Sequence, residues 1–238
     1  MDVERKRQGL AEIARRVAQC RACSLCQGRT NAVPGEGNPD ADIMFIGEGP
    51  GFYEDQQGRP FVGASGKFLD ELLAKIGLDR RKVFIANVVK CRPPNNRDPQ
   101  PEEIDACGVY LEEQIETIRP RVVVTLGRHS MQRYFPGEAI SRVHGQPRRK
   151  GDLIVVPMYH PAAALHQASL RKVIEADFLR LPDFLAKALA EPTGDEKPAP
   201  AHLRRETVTA AATPSASSAA QEAAQVAAQE AAQQMRLL

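Results

Sequence analysis

The sequence predicts an α/β fold in which helices cover both faces of a parallel sheet. Four short apolar runs have the length and the β-branched composition of buried strands. Stretches with helical periodicity separate these runs along the chain. Strands that alternate with helices in this way favour crossover connections, and therefore a parallel sheet.

The elements of the first third follow from apolar periodicity. Residues 4–19 place Leu10 and Ile13 on one face of an amphipathic helix. Residues 42–47 are a largely apolar run and are predicted to form a buried strand. A helix is predicted at residues 67–76, where a glycine follows the last periodic position.

Proline, glycine and charged residues mark the ends of the later elements. The second strand is predicted at residues 83–89, and the helix at 101–118 has a proline and two glutamates in its first turn. A third strand at 121–126 and a short helix follow. The fourth strand is predicted at 154–157, and a proline interrupts the final helix at 168–188.

The composition of the 238-residue chain changes sharply near residue 190. Residues 1–190 have the apolar content of a globular domain. Residues 191–238 are rich in Ala, Gln, Pro, Ser and Thr and contain no aromatic residue. We predict that this tail is a disordered, low-complexity segment. A replication or repair partner that binds the tail is an alternative without support in the sequence.

Charge and hydropathy limit the class of protein. The net charge of +2 is too small to establish nucleic-acid binding by itself. The N-terminal residues are charged and lack the apolar core of a signal peptide. No stretch approaches the ~20 apolar residues of a membrane helix. We therefore expect a cytoplasmic protein with no membrane partner.

Five cysteines in a chain without a secretion signal favour a metal centre over disulfides. Cys20 and Cys23 have the Cys-x2-Cys spacing of a common metal half-site, and Cys91 and Cys107 can complete a four-thiolate set. The spacing allows zinc or an iron–sulfur cluster, and the wide second pair favours the cluster. Cys23 and Cys26 have the same Cys-x2-Cys spacing as Cys20 and Cys23. Spacing alone therefore does not decide which two cysteines form the first half-site.

Polar or glycine-rich segments follow the predicted strands. The carboxyl ends of parallel strands meet at one edge of a sheet, where such folds bind ligands. The glycine-rich loop 47–51 allows close approach of backbone N–H groups but lacks the ending of a P-loop. Asn87 is a candidate reader of a polar edge. Phe61 is either a core residue or a stacking platform, and His160 is favoured as a hydrogen-bond donor over a structural role.

An ordered series of motifs extends over roughly residues 20–189. The motifs are Cys20-x2-Cys23, Gly35-Glu36-Gly37, Gly47-Glu48-Gly49-Pro50-Gly51, Gly58-Arg59-Pro60-Phe61-Val62-Gly63, Asn87-x2-Lys90-Cys91-Arg92-Pro93-Pro94 and His160-Pro161-Ala162. In this order the chain resembles the family 4 uracil-DNA glycosylases, the thermostable iron–sulfur type of the uracil-DNA glycosylase superfamily.

The resemblance implies a three-layer α/β/α sandwich with a central four-stranded parallel sheet. It implies a monomeric enzyme that flips uracil out of double- or single-stranded DNA and hydrolyses its N-glycosidic bond. The product is an abasic site, which initiates base excision repair. The implied ligands of a 4Fe–4S cluster are Cys20, Cys23, Cys91 and Cys107.

The resemblance also implies roles for individual residues. Phe61 stacks on uracil, Asn87 reads its polar edge and His160 donates to a carbonyl oxygen. Leu165 or a neighbour probes the duplex near the flipped nucleotide. The implied catalytic residues are His160, Glu48 and Gly49, and the implied substrate-binding residues are Gly47, Glu48, Gly49, Phe61, Asn87 and His160.

Two alternatives have weaker support. A non-turnover uracil-DNA binding protein, like the adduct-forming branch of the superfamily, would need the histidine of an inserted basic loop, and residues 90–99 contain no histidine. A non-catalytic iron–sulfur protein would have no use for Asn87, Phe61 and His160 at one sheet edge. Release of free uracil over many turnovers separates the three hypotheses.

Overall fold

A computed structural model describes residues 2–190 of the chain. They form a mixed α/β fold around one six-stranded sheet. The predicted tail, residues 191–238, lies outside the described residues. The strands are β1 Glu36–Gly37, β2 Ile43–Gly47, β3 Phe84–Asn87, β4 Val122–Leu126, β5 Arg148–Lys150 and β6 Leu153–Met158. The helices are α1 Val3–Gln19, α2 Phe52–Gln57, α3 Ala64–Lys75, α4 Pro101–Ile118, α5 Arg128–Gln132, α6 Ile140–Val143, α7 Ala163–His166, α8 Ser169–Leu179 and α9 Leu181–Ala190.

The sheet has six strands, in the order β1-β3-β2-β4-β6-β5, where the sequence predicted four. The strands β3, β2, β4 and β6 run parallel to one another, and β1 and β5 pair antiparallel at the two edges. Sequence analysis missed the edge strands because they are only two and three residues long. Such short segments show no alternating pattern, and β5 consists of basic residues that carry no apolar signal.

Side chains of the central strands alternate between two hydrophobic clusters, one on each face of the sheet. Met44 and Ile46 of β2 pack in a cluster with residues of α4. Ile43 and Phe45 pack in a second cluster with residues of α3, α8 and α9. All residues of β2 are buried, as expected for a parallel strand with helices on both sides.

Most predicted elements are present with small shifts of their ends. The helix α4 has the predicted bounds, whereas β3 stops at Asn87, before the predicted strand end. The predicted final helix is two helices, α8 and α9, because Pro182 in the first turn of α9 cannot donate to the preceding turn. The short helices α2 and α6 were not predicted. In the described part of the chain, no helix combines the length and apolarity that crossing a bilayer requires.

Candidate active site

The carboxyl ends of β2, β3 and β6 open into one cleft of about 470 Å³. Its lining includes Glu48 and Gly49 after β2, Asn87 at the end of β3, and His160 after β6. Phe61, from the loop before α3, lines the same cleft. The structure therefore brings these residues together from four segments. The other lining residues are Pro50, Gly51, Glu54, Ser65, Pro93, Asn96, Arg97, Ala162 and His166.

Asn87 presents a buried amide to the cleft and is only 2% exposed. The sheet register places it beside Gly47 of β2. A side chain at Gly47 is excluded, because a Cβ there would lie 2.6 Å from the Phe61 ring and closer still to Asn87 Oδ1. Within the described residues, Asn87 Oδ1 is buried without a hydrogen-bond partner. Because burying an unpaired polar atom is costly, this oxygen is a candidate acceptor for an N–H group of a ligand.

Phe61 has a left-handed backbone conformation, with φ at 54°. This region costs a non-glycine residue about 1–2 kcal/mol. The guanidinium of Arg80 donates to Pro60 O at 2.9 Å and to Phe61 O. Asp70 Oδ1 and Glu36 Oε1 accept from the same guanidinium at 2.6 Å and 3.1 Å. Arg80 thus holds the loop in the conformation that directs the Phe61 ring into the cleft.

Glu54 joins two loops of the cleft. Its Oε1 accepts from the backbone N–H of Val62 at 2.8 Å and of Gly63 at 2.9 Å, and its Oε2 accepts from Gly51 N–H at 3.1 Å. The side chain is buried at the start of α2. Hydrogen bonds to a carboxylate are stronger than neutral ones, so Glu54 fixes the segment after Phe61 against the glycine-rich loop.

His160 offers the cleft a hydrogen-bond donor of defined tautomer. Ala162 N–H donates to His160 Nδ1 at 3.1 Å, so the neutral ring carries its proton on Nε2. Burial lowers the pKa of His160 to about 4, so the ring is neutral at pH 7. The imidazole stacks on the Phe61 ring, with centroids 5.4 Å apart and planes at 21°.

Glu48 has a carboxylate that is partly withdrawn from water. Burial raises the pKa of Glu48; the nearby His129 opposes this rise and the nearby Asp98 adds to it. Glu48 Oε2 lies 3.7 Å from His129 Nε2, which lies 3.4 Å from Asp98 Oδ1. A carboxylate with a raised pKa can accept a proton from water more readily than an ordinary one.

The five cysteines line one small cavity, together with Arg29, Lys90 and Tyr110. The cavity therefore contains the four predicted ligands and also Cys26. Three N–H groups donate to sulfur, as is typical of thiolate-bound centres. The bonds run from Arg29 Nη1 to Cys91 Sγ at 3.1 Å, from Lys90 N to Cys107 Sγ at 3.2 Å and from Ala22 N to Cys20 Sγ at 3.5 Å.

As free thiols, the buried cysteines retain their protons at neutral pH. Burial raises the pKa of Cys107 to about 11, and it also raises the pKa of Cys91 and of Cys23. A bound metal displaces such protons and takes the thiolates as ligands. The N–H donors and the guanidinium beside Cys91 favour the thiolate form, so the residues present fit an anionic metal–thiolate centre.

Lys90 connects the cysteine cavity with the cleft. Its side chain is 1% exposed, and its Nζ donates to Asn87 O at 2.9 Å and to Gln114 Oε1 at 2.7 Å. Burial lowers the pKa of Lys90 to about 8, and negative charge on the nearby Cys107 sulfur opposes this effect when that thiol is ionised. Both hydrogen-bond acceptors are neutral, so an anionic metal–thiolate centre, when bound, would supply the opposite charge that a buried ammonium requires. Lys90 also fixes the backbone of Asn87.

Two residues that organise the cleft, Arg80 and His129, were not predicted, because their partners are distant in sequence. Glu54 has a signal in the sequence, since a glutamate three residues after Gly51 has the spacing of a capping box. The predicted probing residue Leu165 lies on α7, 49% exposed and outside the lining of the cleft.

A family model and several curated relatives match this chain. The model of the Uracil DNA glycosylase superfamily matches residues 34–191. A type-4 uracil-DNA glycosylase of Sulfurisphaera tokodaii is 53% identical over 182 residues, which are 72% of this chain and 83% of the relative. The type-4 uracil-DNA glycosylase of Archaeoglobus fulgidus is 49% identical over 189 residues, 76% of this chain and 95% of the relative. That of Thermotoga maritima is 47% identical over 187 residues, 76% of this chain and 97% of the relative.

The α/β fold, the cleft at its strand ends and the family match define the class of protein. The chain belongs to the uracil-DNA glycosylase superfamily. Within the superfamily it belongs to the type-4 family, as its motifs indicated. The resemblance recognised in the sequence is therefore confirmed.

Proposed function

We propose that this protein is a monofunctional uracil-DNA glycosylase that initiates base excision repair. It flips uracil out of DNA, hydrolyses the N-glycosidic bond and leaves an abasic site. One observation carries the proposal: the unpartnered Oδ1 of Asn87 lies buried in a cleft that Phe61 and His160 also line. Two type-4 uracil-DNA glycosylases are 53% and 49% identical to this chain over the 182 and 189 residues that align with it.

Asn87 and Phe61 recognise the base. The amide oxygen of Asn87 accepts from uracil N3–H, and its amide NH₂ group donates to the adjacent carbonyl. Cytosine has the reverse pattern on that edge, so it leaves both groups of Asn87 unpaired. The Phe61 ring stacks on the flipped uracil, and this contact offsets part of the cost of unstacking it from DNA.

His160 stabilises the leaving base. Cleavage of the sugar–base bond leaves negative charge on uracil, and the Nε2–H of neutral His160 donates to the carbonyl oxygen where that charge develops. Backbone N–H groups of the loop at Gly49 assist it. A neutral donor suits this role, because a hydrogen bond to the departing anion stabilises its charge without transfer of a proton.

Glu48 acts on the water. Its carboxylate orients the water that attacks the sugar and accepts its proton, which the raised pKa of Glu48 favours. The negative charge of the carboxylate also stabilises the cationic sugar that forms as the base departs. His129 Nε2 lies 3.7 Å from Glu48 Oε2, close enough to influence the charge of the carboxylate.

We propose a 4Fe–4S cluster on Cys20, Cys23, Cys91 and Cys107, with zinc as the alternative metal. When bound, the group supplies a structural crosslink among the N-terminal segment, the loop after β3 and α4. Cys91 and Lys90 follow Asn87 closely in the chain, so this crosslink holds the base-reading amide in position. Cys26 stays a free thiol in this assignment.

We also propose the organisation and partners of the chain. Residues 1–190 form a monomeric glycosylase domain, a three-layer sandwich with the four parallel strands at its centre. The macromolecular partner is uracil-containing DNA, double- or single-stranded. Because its substrate is DNA, we place the enzyme in the cytoplasm, with the nucleoid.

Replacement of Asn87 by alanine tests base recognition. We expect Asn87→Ala to lower kcat/KM for uracil in DNA by roughly 100-fold, since two buried hydrogen bonds of about 1–2 kcal/mol each are lost. Oligonucleotides with one uracil, cytosine or thymine are incubated with the enzyme, and abasic sites are cleaved with alkali.

The control is Asn38→Ala, because Asn38 lies outside the cleft and its side chain accepts only from Asp40 N–H, at 2.9 Å. It should retain full activity. No cleavage of uracil DNA by the folded wild-type protein, or an Asn87→Ala variant as active as Asn38→Ala, would contradict the proposed function.

Arg80 is expected to set the position of Phe61. In Arg80→Met the strained loop at residues 60–61 relaxes, and we expect kcat/KM to fall by roughly 10-fold, the equivalent of the 1–2 kcal/mol of strain that Arg80 holds. Arg81→Met is the matched control, since Arg81 is exposed and pairs with Asp79. Single-turnover kinetics and thermal unfolding distinguish misplacement of Phe61 from unfolding of the whole protein. A folded Arg80→Met enzyme with unchanged kcat/KM contradicts this role.

A further inference from the structure

Two aromatic side chains at the start of α2 are largely exposed. Phe52 is 50% exposed and Tyr53 is 60% exposed. The other large hydrophobic side chains that the described residues expose to this degree are aliphatic. The following residues of α2, Glu54 and Asp55, are buried, so the helix turns its acidic side inward and its aromatic side outward. The rings contact each other edge to face, with centroids 5.5 Å apart.

This aromatic pair lies at the mouth of the uracil cleft. The residues on either side of it in the chain, Gly51 and Glu54, both line the cleft. A Cβ on Gly63, two residues after Phe61, would lie 3.4 Å from Tyr53 Cδ2. Tyr53 therefore lies next to the segment that presents Phe61, and the pair sits between two residues that line the proposed binding site.

Positive charge lies beside the pair. The guanidinium of Arg92 is 5.2 Å from the centroid of the Phe52 ring. Its Nε donates to Asn96 Oδ1 at 2.7 Å, and Asn96 and Arg97 line the cleft. Exposed aromatic rings interleaved with arginines are the combination by which proteins hold single strands: rings stack on bases, and cations follow the phosphates.

We propose that Phe52 and Tyr53 form a stacking platform for unpaired bases next to the flipped uracil, and that single-stranded DNA is therefore a favoured substrate. The inference rests on the proposed function. Bases of a duplex stack on each other and pair, so their faces are not available to the platform. Bases of a single strand have free faces, and stacking on a ring tolerates any sequence.

The test compares one uracil oligonucleotide as a single strand and as a duplex. Loss of a stacking side chain corresponds to roughly 5- to 100-fold in affinity. We expect the Phe52→Ala/Tyr53→Ala double variant to raise KM for the single strand about 10-fold, with kcat unchanged and the duplex KM changed less than about twofold. The variant Phe52→Tyr/Tyr53→Phe keeps both rings and should behave as wild type. Leu179→Ala removes an exposed side chain from α8 and is the surface control.

A second readout does not depend on catalysis. The full chain is titrated into a single strand that has 2-aminopurine beside an abasic analogue, and the quenching of its fluorescence reports stacking. Wild type should quench it and the double alanine variant should not. Equal effects of the double variant on single strand and duplex, or equal quenching by both proteins, would overturn the platform. Quenching by wild type without any uracil release would overturn the proposed function and leave the platform intact.

Discussion

Substitution of His160 by alanine is expected to lower kcat for uracil release by roughly 100- to 1,000-fold, with a much smaller effect on KM. The reason is that the Nε2–H donor acts on charge that exists only as the base departs, so its loss is felt in the transition state. Single-turnover cleavage of a uracil oligonucleotide gives the rate of the chemical step, steady-state cleavage gives kcat, and binding to an abasic analogue gives affinity. His160→Gln retains an N–H donor and should recover part of the rate. Equal loss in both variants contradicts the donor role.

The pH dependence tests the charge state of His160. Its pKa is about 4 in the folded protein, against 6.5 ordinarily. The donor therefore stays neutral between these values, and kcat should show no inflection from His160 near pH 6.5. In the same range the unfolded chain binds a proton at this residue and the folded chain does not, so stability decreases as pH falls from about 6.5 to about 4. A wild-type inflection near pH 6.5 that disappears in His160→Gln but persists in Glu48→Gln contradicts a neutral donor.

Serine in place of Cys91 or Cys107 is expected to remove the metal centre and most of the activity. Each variant removes one ligand, leaves other buried groups unpaired and releases the loop after Asn87. Loss of a structural metal is among the few single changes that cost more than about 4 kcal/mol. Iron and sulfide analysis, visible absorbance and thermal unfolding measure the effect.

Cys26→Ser is the control for this set, because Cys26 lines the same cavity. We expect it to retain iron, sulfide and activity. Iron lost from Cys26→Ser but kept in Cys20→Ser contradicts the assignment of the first half-site. A stoichiometric zinc ion without sulfide, in protein purified without exposure to oxygen, contradicts the cluster.

The sequence predicts those parts of the fold that local patterns determine. The buried strands at β2 and β4 are continuous apolar runs, and α4 has a proline and acidic residues at its start, so both their type and their position were predictable. The edge strands β1 and β5 depend on pairing with β3 and β6 rather than on their own residues. Their existence is a tertiary effect, which no local pattern reveals.

The candidate site likewise contains residues that local patterns predict and residues that only the folded structure reveals. Asn87 and His160 were predictable because each follows a predicted strand, and parallel strands present their carboxyl ends at one edge. That Asn87 Oδ1 lacks a hydrogen-bond partner among the described residues was not predictable, since this depends on what surrounds the amide in the folded chain. Arg80 reaches Phe61 O across 19 positions of sequence, so its role required the structure. Spacing alone could not choose between Cys20 and Cys26.

The most direct test of the central claim is to measure free uracil over many turnovers. Purified full-length protein is incubated with excess uracil-containing single-stranded DNA in water labelled with ¹⁸O, and the released base and the abasic sugar are analysed by mass spectrometry. Hydrolysis predicts many uracil molecules per protein molecule, one labelled oxygen on each abasic sugar and none on the uracil. No release, or a single equivalent retained with the protein, contradicts the account and indicates a uracil-DNA binding protein instead.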